Sequence, residues 1–187
     1  LGHDVISLSL GEPDFDTPVH IKDAAYQALK DGYTKYTPVA GLPELTKAIS
    51  EKFWRDNKLE YKPEQIVVSN GAKQTVYNLC QALLDPGDEV VVFAPYWVSY
   101  WEIIKLSGGV PVPVYAGVEQ DFKPTPEQVA AAITDKTKFI LYSSPCNPTG
   151  SVFTREELQA IAAAIEPHEH VFVVSDEIYE YINFTHE

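Results

Sequence analysis

The sequence predicts an α/β fold: a mostly parallel sheet covered by helices. Three observations carry this. Helix-period segments and strand-like segments alternate along the chain. The strand-like segments are unbroken apolar runs, the pattern of strands buried on both faces. The length, 187 residues, suffices for one domain with a sizeable core, and no repeat, low-complexity tract or linker divides it.

The elements follow in order. His20 to Lys30 comes after Pro18 and sets Ile21, Ala24, Ala25, Ala28 and Leu29 on one helical face, with Asp31-Gly32 as a stop. Pro43 to Asn57 repeats the pattern with Leu45, Ala48, Ile49 and Phe53. "QIVVSNGAK" predicts a short strand, Ile66 to Ser69, turning directly into a helix. That helix carries Val76, Leu79, Cys80, Leu83 and Leu84, and "DPGD" ends it. A second strand is expected over Glu89 to Phe93, a helix near Ser99 to Lys105, and a third strand over Val110 to Tyr115. Thr125 with Gln128 three residues on makes a capping box at a helix start. Lys138 to Ser144 reads as the fourth strand. Thr154 with Glu157 makes a second capping box, on a helix running to about Ile165, and Val171 to Val174 reads as the fifth strand.

Composition narrows the function classes. Net charge is −13, which argues against nucleic acid and against an anionic membrane surface. An anionic ligand would need a local positive field. No apolar run approaches the roughly 18 residues of a membrane helix. No secretory pattern opens the chain, and a cytoplasmic location is expected. The chain has no Met, so its natural start is expected to lie upstream. Cys80 and Cys146 form no CxxC pair. Cys80 falls on a helix stripe and reads as core, Cys146 as a small packed residue. Of five histidines only His168 and His170 are close, with no third ligand, so no metal site is expected.

In a parallel sheet, ligands bind beyond the carboxyl ends of the strands. Four loops lie there. Ser69-Asn70-Gly71-Ala72-Lys73 leads into a helix N-terminus, whose free N–H groups and dipole suit a phosphate; the plainer reading is an ordinary tight turn with a surface lysine. Ala94-Pro95-Tyr96-Trp97 offers a stacking wall for a planar ligand, or simply packs. "SSPCNPTG" places Asn147 between Pro145 and Pro148, with Gly150 beyond, a positioned amide or a turn-forming Asn. Asp176, with Tyr179 three residues on, is either an N-cap or an acid facing a cation. Together the loops suit a flat, phosphorylated heteroaromatic with a ring nitrogen to protonate. Pyridoxal phosphate fits, since a carboxylate at the ring nitrogen keeps it charged and the charged ring is an electron sink.

Six segments in one order, "SLGEPDFDTP", "YTKYTPVAGLPEL", "VVSNGAKQ", "DPGDEVVVFAPYWVSY", "SSPCNPTG" and "VVSDEIYE", make the chain resemble the class I aminotransferases of the aspartate aminotransferase family, which are pyridoxal-phosphate enzymes. The resemblance implies a three-layer α/β/α large domain. It implies that Gly71, Ala72 and Lys73 form the phosphate-binding turn and that Trp97 stacks on the ring. Asn147 and Tyr179 would contact the ring hydroxyl, Asp176 the pyridine nitrogen, and Tyr36 the phosphate of the other subunit, making a homodimer. Gly11, Lys73, Trp97 and Asn147 would face the amino acid and 2-oxo acid substrates, with Lys73 tilting the reading towards aspartate and glutamate.

The chain departs from the family in one respect. No Lys or Arg follows Arg155, whereas the family needs a Schiff-base lysine and a carboxylate-binding arginine further on. The expectation is therefore a partial large domain over residues 1–187, with Leu1 to Pro18 as the N-terminal active-site segment and the small domain absent. Such a fragment is expected to be inactive, and its sheet to have open edges where family strands are missing. The rival readings are a lyase of the same fold and cofactor, a sensing domain of a transcription regulator, and a generic nucleotide-binding domain. The last calls for GxGxxG or a Walker turn, and "SNGAKQ" is neither.

Overall fold

The computed structural model describes residue 11 and residues 15–185. The chain divides into two units, Leu1–Val67 and Val68–Glu187.

The first unit is helical. Helix α1 spans Val19–Lys30 and buries none of its residues. Helix α2 spans Pro43–Lys52, with Pro at its first position, where a missing N–H costs nothing. The sequence predicts helix as far as Asn57. The chain does stay helical to that point, but Phe53–Asn57 is a π-helical turn, closed by Lys58 in the left-handed region at φ 58°. Tyr61 sits beside this turn, its ring centroid 5.7 Å from that of Phe53, and its carbonyl accepts the Ser50 hydroxyl at 2.5 Å.

The strand predicted over Ile66 to Ser69 is not formed. Extended backbone becomes a strand only when a neighbour satisfies its N–H and C=O groups. Among the described residues no strand lies beside this segment.

The second unit holds the sheet. Helix α3 (Ala72–Leu83) precedes strand β1 (Glu89–Ala94), then come helix α4 (Ser99–Leu106), β2 (Val110–Tyr115), α5 (Pro126–Ala132), β3 (Thr137–Ser143), α6 (Arg155–Ile165) and β4 (Phe172–Asp176). The strand order is β2-β1-β3-β4, all parallel. Both predicted capping boxes are present. Thr125 Oγ1 accepts Gln128 N–H and Thr154 Oγ1 accepts Glu157 N–H, each with the return bond made.

The pleat of β1 splits its side chains between two cores. Val90 and Val92 join Val76, Cys80 and Leu84 of the α3 side and Tyr100, Ile103 and Ile104 of α4. Val91 and Phe93 join Val129 of α5 and Ile161 and Ile165 of α6 on the opposite face. The architecture is thus three layers, helices on each face of a parallel sheet. Cys80 is fully buried, as its place on the stripe predicts.

Burial on both faces holds for β1 and β3 but not for every strand. β4 is an edge strand, and Phe172 and Val173 are 58% and 53% exposed despite an unbroken apolar sequence. Apolar continuity reports what a strand is suited to pack against, not whether that neighbour is among the described residues.

Candidate active site

The carboxyl ends of β1, β3 and β4 carry the loops singled out above, and α3 opens beside them. Gly71 is the N-cap of α3 at φ 84°, a conformation that an L side chain adopts only under strain. No side chain caps this helix, so its first-turn N–H groups are available to an anion. A Cβ at Gly71 would meet nothing within 4 Å, so the turn faces open space. Asn70 N–H is taken by the Gln74 side chain at 2.5 Å, which pins the turn from below.

Lys73 lies in the first turn of α3. Its ammonium sits over the Trp97 ring, 5.0 Å from the centroid. Such a cation–π contact is worth about 0.5–1 kcal/mol at an exposed site, little enough to be exchanged for a ligand. Trp97 in turn meets the Tyr100 ring edge-on, with centroids 5.5 Å apart at 90°.

Tyr100 belongs to the first turn of α4 and is 1% exposed. Its phenol donates to Asp176 Oδ2 at 2.5 Å across 76 residues of sequence. Burial pushes this phenol far above its ordinary range, and the bond to Asp176 pushes it the same way, against a smaller opposing effect of Ser143. The other Asp176 oxygen, Oδ1, accepts Ile178 N–H at 3.2 Å. The residues after Asp176 form turns rather than an α-helix, so its helix-cap reading does not hold. The β3–β4 register sets Ser143 opposite Asp176.

The loop after β3 is held at both ends. Cys146 N–H donates to Ser151 O at 3.0 Å and Gly150 N–H to Cys146 O at 2.7 Å. Phe153 N–H donates to Ser144 Oγ at 3.0 Å, and Ser151 Oγ to Asp121 O at 2.7 Å. Gly150, at φ 75°, closes the turn. Cys146 Sγ reaches Pro95 O at 3.4 Å, tying this loop to the one after β1. That contact fits the packed reading of Cys146. Within the held loop the Asn147 amide donates to the Tyr179 hydroxyl at 3.4 Å.

The structure therefore joins Lys73, Trp97 and Asp176 through Tyr100, and pairs Asn147 with Tyr179. Gly71 and Ala72 open the same helix as Lys73. Tyr36 and Gly11 belong to the first unit, and both are exposed. His168 and His170 are ring neighbours at 6.2 Å, and no group that could hold a metal ion occurs among the described residues. Tyr100 is the residue that sequence reasoning missed. The available signal was its place three residues after Trp97, one helical turn on, with a hydroxyl that a buried position obliges to find a partner.

These residues fit pyridoxal phosphate as a set of groups. An uncapped helix N-terminus opening on free space suits the phosphate, an indole suits a planar ring, an amide–phenol pair suits a ring oxygen, and a carboxylate suits a ring nitrogen.

Comparison with known proteins bears on the same chain. The family model for aminotransferase class I and II matches residues 3–187. An aspartate aminotransferase of Bacillus sp. (strain YM-2) is 58% identical over 179 residues, which cover 96% of this chain and 45% of that protein. An aspartate/prephenate aminotransferase of Cereibacter sphaeroides is 54% identical, covering 98% and 46%. Among solved structures, an aspartate aminotransferase from Rhizobium meliloti superposes with a TM-score of 0.94 at 43% identity, covering 96% of this chain and 45% of that one. A Thermus thermophilus aspartate aminotransferase tetra mutant, complexed with tryptophan, does so at 0.95 and 50%, covering 100% and 48%. The chain thus spans about half the length of the relatives it matches. With the family model matching nearly every residue, the chain belongs to the class I and II aminotransferases.

Proposed function

We propose that these 187 residues are part of the cofactor-binding large domain of a pyridoxal-phosphate aminotransferase of the aspartate type, acting in the cytoplasm as a homodimer. The observation that carries this reading is the contact path from Lys73 through Trp97 and Tyr100 to Asp176, with the Asn147–Tyr179 pair beside it. When bound, the cofactor supplies an electron sink for amino transfer between an amino acid and a 2-oxo acid.

The residues of this chain bind, orient and tune. Gly71, Ala72 and Lys73 receive the phosphate at the opening of α3. Trp97 offers the ring a flat apolar wall. Asn147 and Tyr179 hold the ring oxygen, and Asp176 holds the proton at the ring nitrogen. Lys73, Trp97, Asn147 and Gly11 face the substrate, and a cation at Lys73 suits a dicarboxylate. Tyr36, exposed in the first unit, serves the partner subunit's phosphate. No lysine of this chain is assigned the part of covalent anchor: Lys138, the last in the sequence, sits at the amino end of β3, 3.5 Å from Asp88, whereas the site lies at the carboxyl ends of the strands.

The test has two arms. The full-length protein that carries this chain should transfer an amino group from aspartate or glutamate to a 2-oxo acid. Elimination without an oxo-acid requirement would replace the reading with that of a lyase. The 187 residues alone should bind pyridoxal phosphate weakly, seen as quenching of tryptophan fluorescence that Trp97→Phe reduces, with no borohydride-trappable bond. A trapped covalent bond to this chain would refute the assignment of the anchor.

A further inference from the structure

An acid that is to meet a ring nitrogen, here Asp176, has to be held in place. The carboxylate sits on the last residue of an edge strand, and the residues after it are turns. Left to itself, such a side chain rotates among rotamers and spreads its charge over solvent.

We propose that Tyr100 is the positioning residue for Asp176: its buried phenol clamps one carboxylate oxygen so that the other is presented to a cationic ring nitrogen. The proposal rests on the pyridoxal-phosphate reading.

Four observations carry it. The Tyr100–Asp176 bond is short, 2.5 Å, in the range of O–H···O⁻ bonds, which are about twice as strong as neutral ones. The donor cannot retreat into water, because Tyr100 is 1% exposed and belongs to the buried core cluster that also holds Ile103, Ile104, Phe139 and Leu141. The donor does not switch off, because burial and the bond itself hold the phenol protonated well beyond its ordinary range. And the two oxygens are treated unequally. Oδ2 carries the clamp, while Oδ1 has one N–H bond at 3.2 Å, and a carboxylate oxygen can accept a second donor.

Tyr100 also meets Trp97 edge-on, so one residue fixes both the wall under the ring and the acid at its nitrogen. The two jobs reside in different atoms. The wall needs the ring, and the clamp needs the hydroxyl. Packing alone would be kept by phenylalanine, whereas the clamp would not.

The experiment uses the full-length protein loaded with pyridoxal phosphate labelled with ¹⁵N in the ring, whose chemical shift reports protonation at that nitrogen. Wild type, Tyr100→Phe, Asp176→Asn, the double variant and Ile103→Val are titrated with pH. Cofactor dissociation constants are measured in parallel by equilibrium dialysis. Tyr100→Phe is expected to lower the ring-nitrogen titration midpoint by about one unit and to weaken binding about 10-fold, the scale of one hydrogen bond to a charged group. Asp176→Asn should lower the midpoint further, and adding Tyr100→Phe to it should change nothing more, because the clamp then has no carboxylate to hold. Ile103→Val perturbs the same cluster without touching the clamp and should leave the midpoint in place. The proposal is overturned if Tyr100→Phe titrates like wild type, if its effect persists in full on the Asp176→Asn background, or if Ile103→Val shifts the midpoint equally. A label that titrates identically in wild type and in Asp176→Asn would overturn the assignment of Asp176 itself, a separate failure that the same titration identifies.

Discussion

Replacing Glu157 tests how the loop bearing Asn147 is held. The Glu157 carboxylate has two jobs. It accepts Thr154 N–H at 2.8 Å, one half of the α6 capping box, and it pairs with the Lys123 ammonium at 2.7 Å. The capping half is worth about 1 kcal/mol. The ion pair joins a 15% exposed lysine to a 39% exposed carboxylate, so solvent screening holds it to about 0.2–1 kcal/mol. Glu157→Gln keeps an acceptor for Thr154 and loses the charge, so it should cost less than about 1 kcal/mol. Glu157→Ala loses both, offset by a few tenths through its better helix propensity, and should cost about 1–2 kcal/mol. For a chain of this length that is about 2–8 °C in thermal midpoint.

Urea unfolding followed by circular dichroism measures both costs. In about 1 M salt the glutamine deficit should shrink, because screening acts on the ion pair. The additional deficit of alanine should remain, because the capping bond is local. Amide exchange adds a local readout. Phe153 N–H, bonded to Ser144 Oγ at 3.0 Å just before the cap, should exchange faster in Glu157→Ala than in Glu157→Gln. Equal costs for the two variants, both abolished by salt, would refute the reasoning and leave the box without weight.

Three further outcomes are expected. Gly109→Ala places a Cβ 2.8 Å from Leu84 Cδ1 and 3.0 Å from Ile104 Cγ2, so overpacking should cost about 1–3 kcal/mol in thermal unfolding, and a neutral result would mean α4 shifts freely. Gly71→Ala meets open space but keeps φ 84°, so its cost should be purely conformational, about 1–2 kcal/mol in urea, with Gly71→Asn closer to wild type. Burial pushes the Cys80 thiol from 9.0 up to about 11. The folded value lies above the unfolded one, so the stability from this group is intact below about pH 9 and is lost as pH rises through 11, by up to ~3 kcal/mol. Cys80→Ala should flatten that limb of the stability curve, and an unchanged slope would rule the thiol out as its source.

What the sequence made legible was local. The boxes at Thr125 and Thr154 are written within four residues each and form as read. The apolar runs of β1 and β3 are buried because helices lie on both sides of them. What it hid was relational. Ile66 to Ser69 has the composition of a strand, but strandedness belongs to a pair, and no partner lies beside it among the described residues. β4 has the same apolar texture as β1, yet it ends the sheet and is half exposed. The π-helical turn at Phe53–Asn57 leaves no trace in a 3.6-residue apolar period that runs on unbroken in the sequence. The candidate site divides the same way. Asp176, Asn147 and Trp97 were visible as loop residues at one sheet edge. Tyr100 was not, because its meaning lies in a bond to a residue 76 positions away.

The pairing of Ser143 with Asp176 ties the acid to the bookkeeping of the ladder between β3 and β4. Successive side chains of a strand point to opposite faces, so a slip of one position would turn Asp176 away from Tyr100 and bring Ser175 or Glu177 to its row. Neither is an aspartate, and neither chain length matches the clamp. The Tyr100 bond therefore forms in one alignment only, and it acts as a proofreading contact: a sheet assembled one residue out of step would lose its acid before it lost its shape.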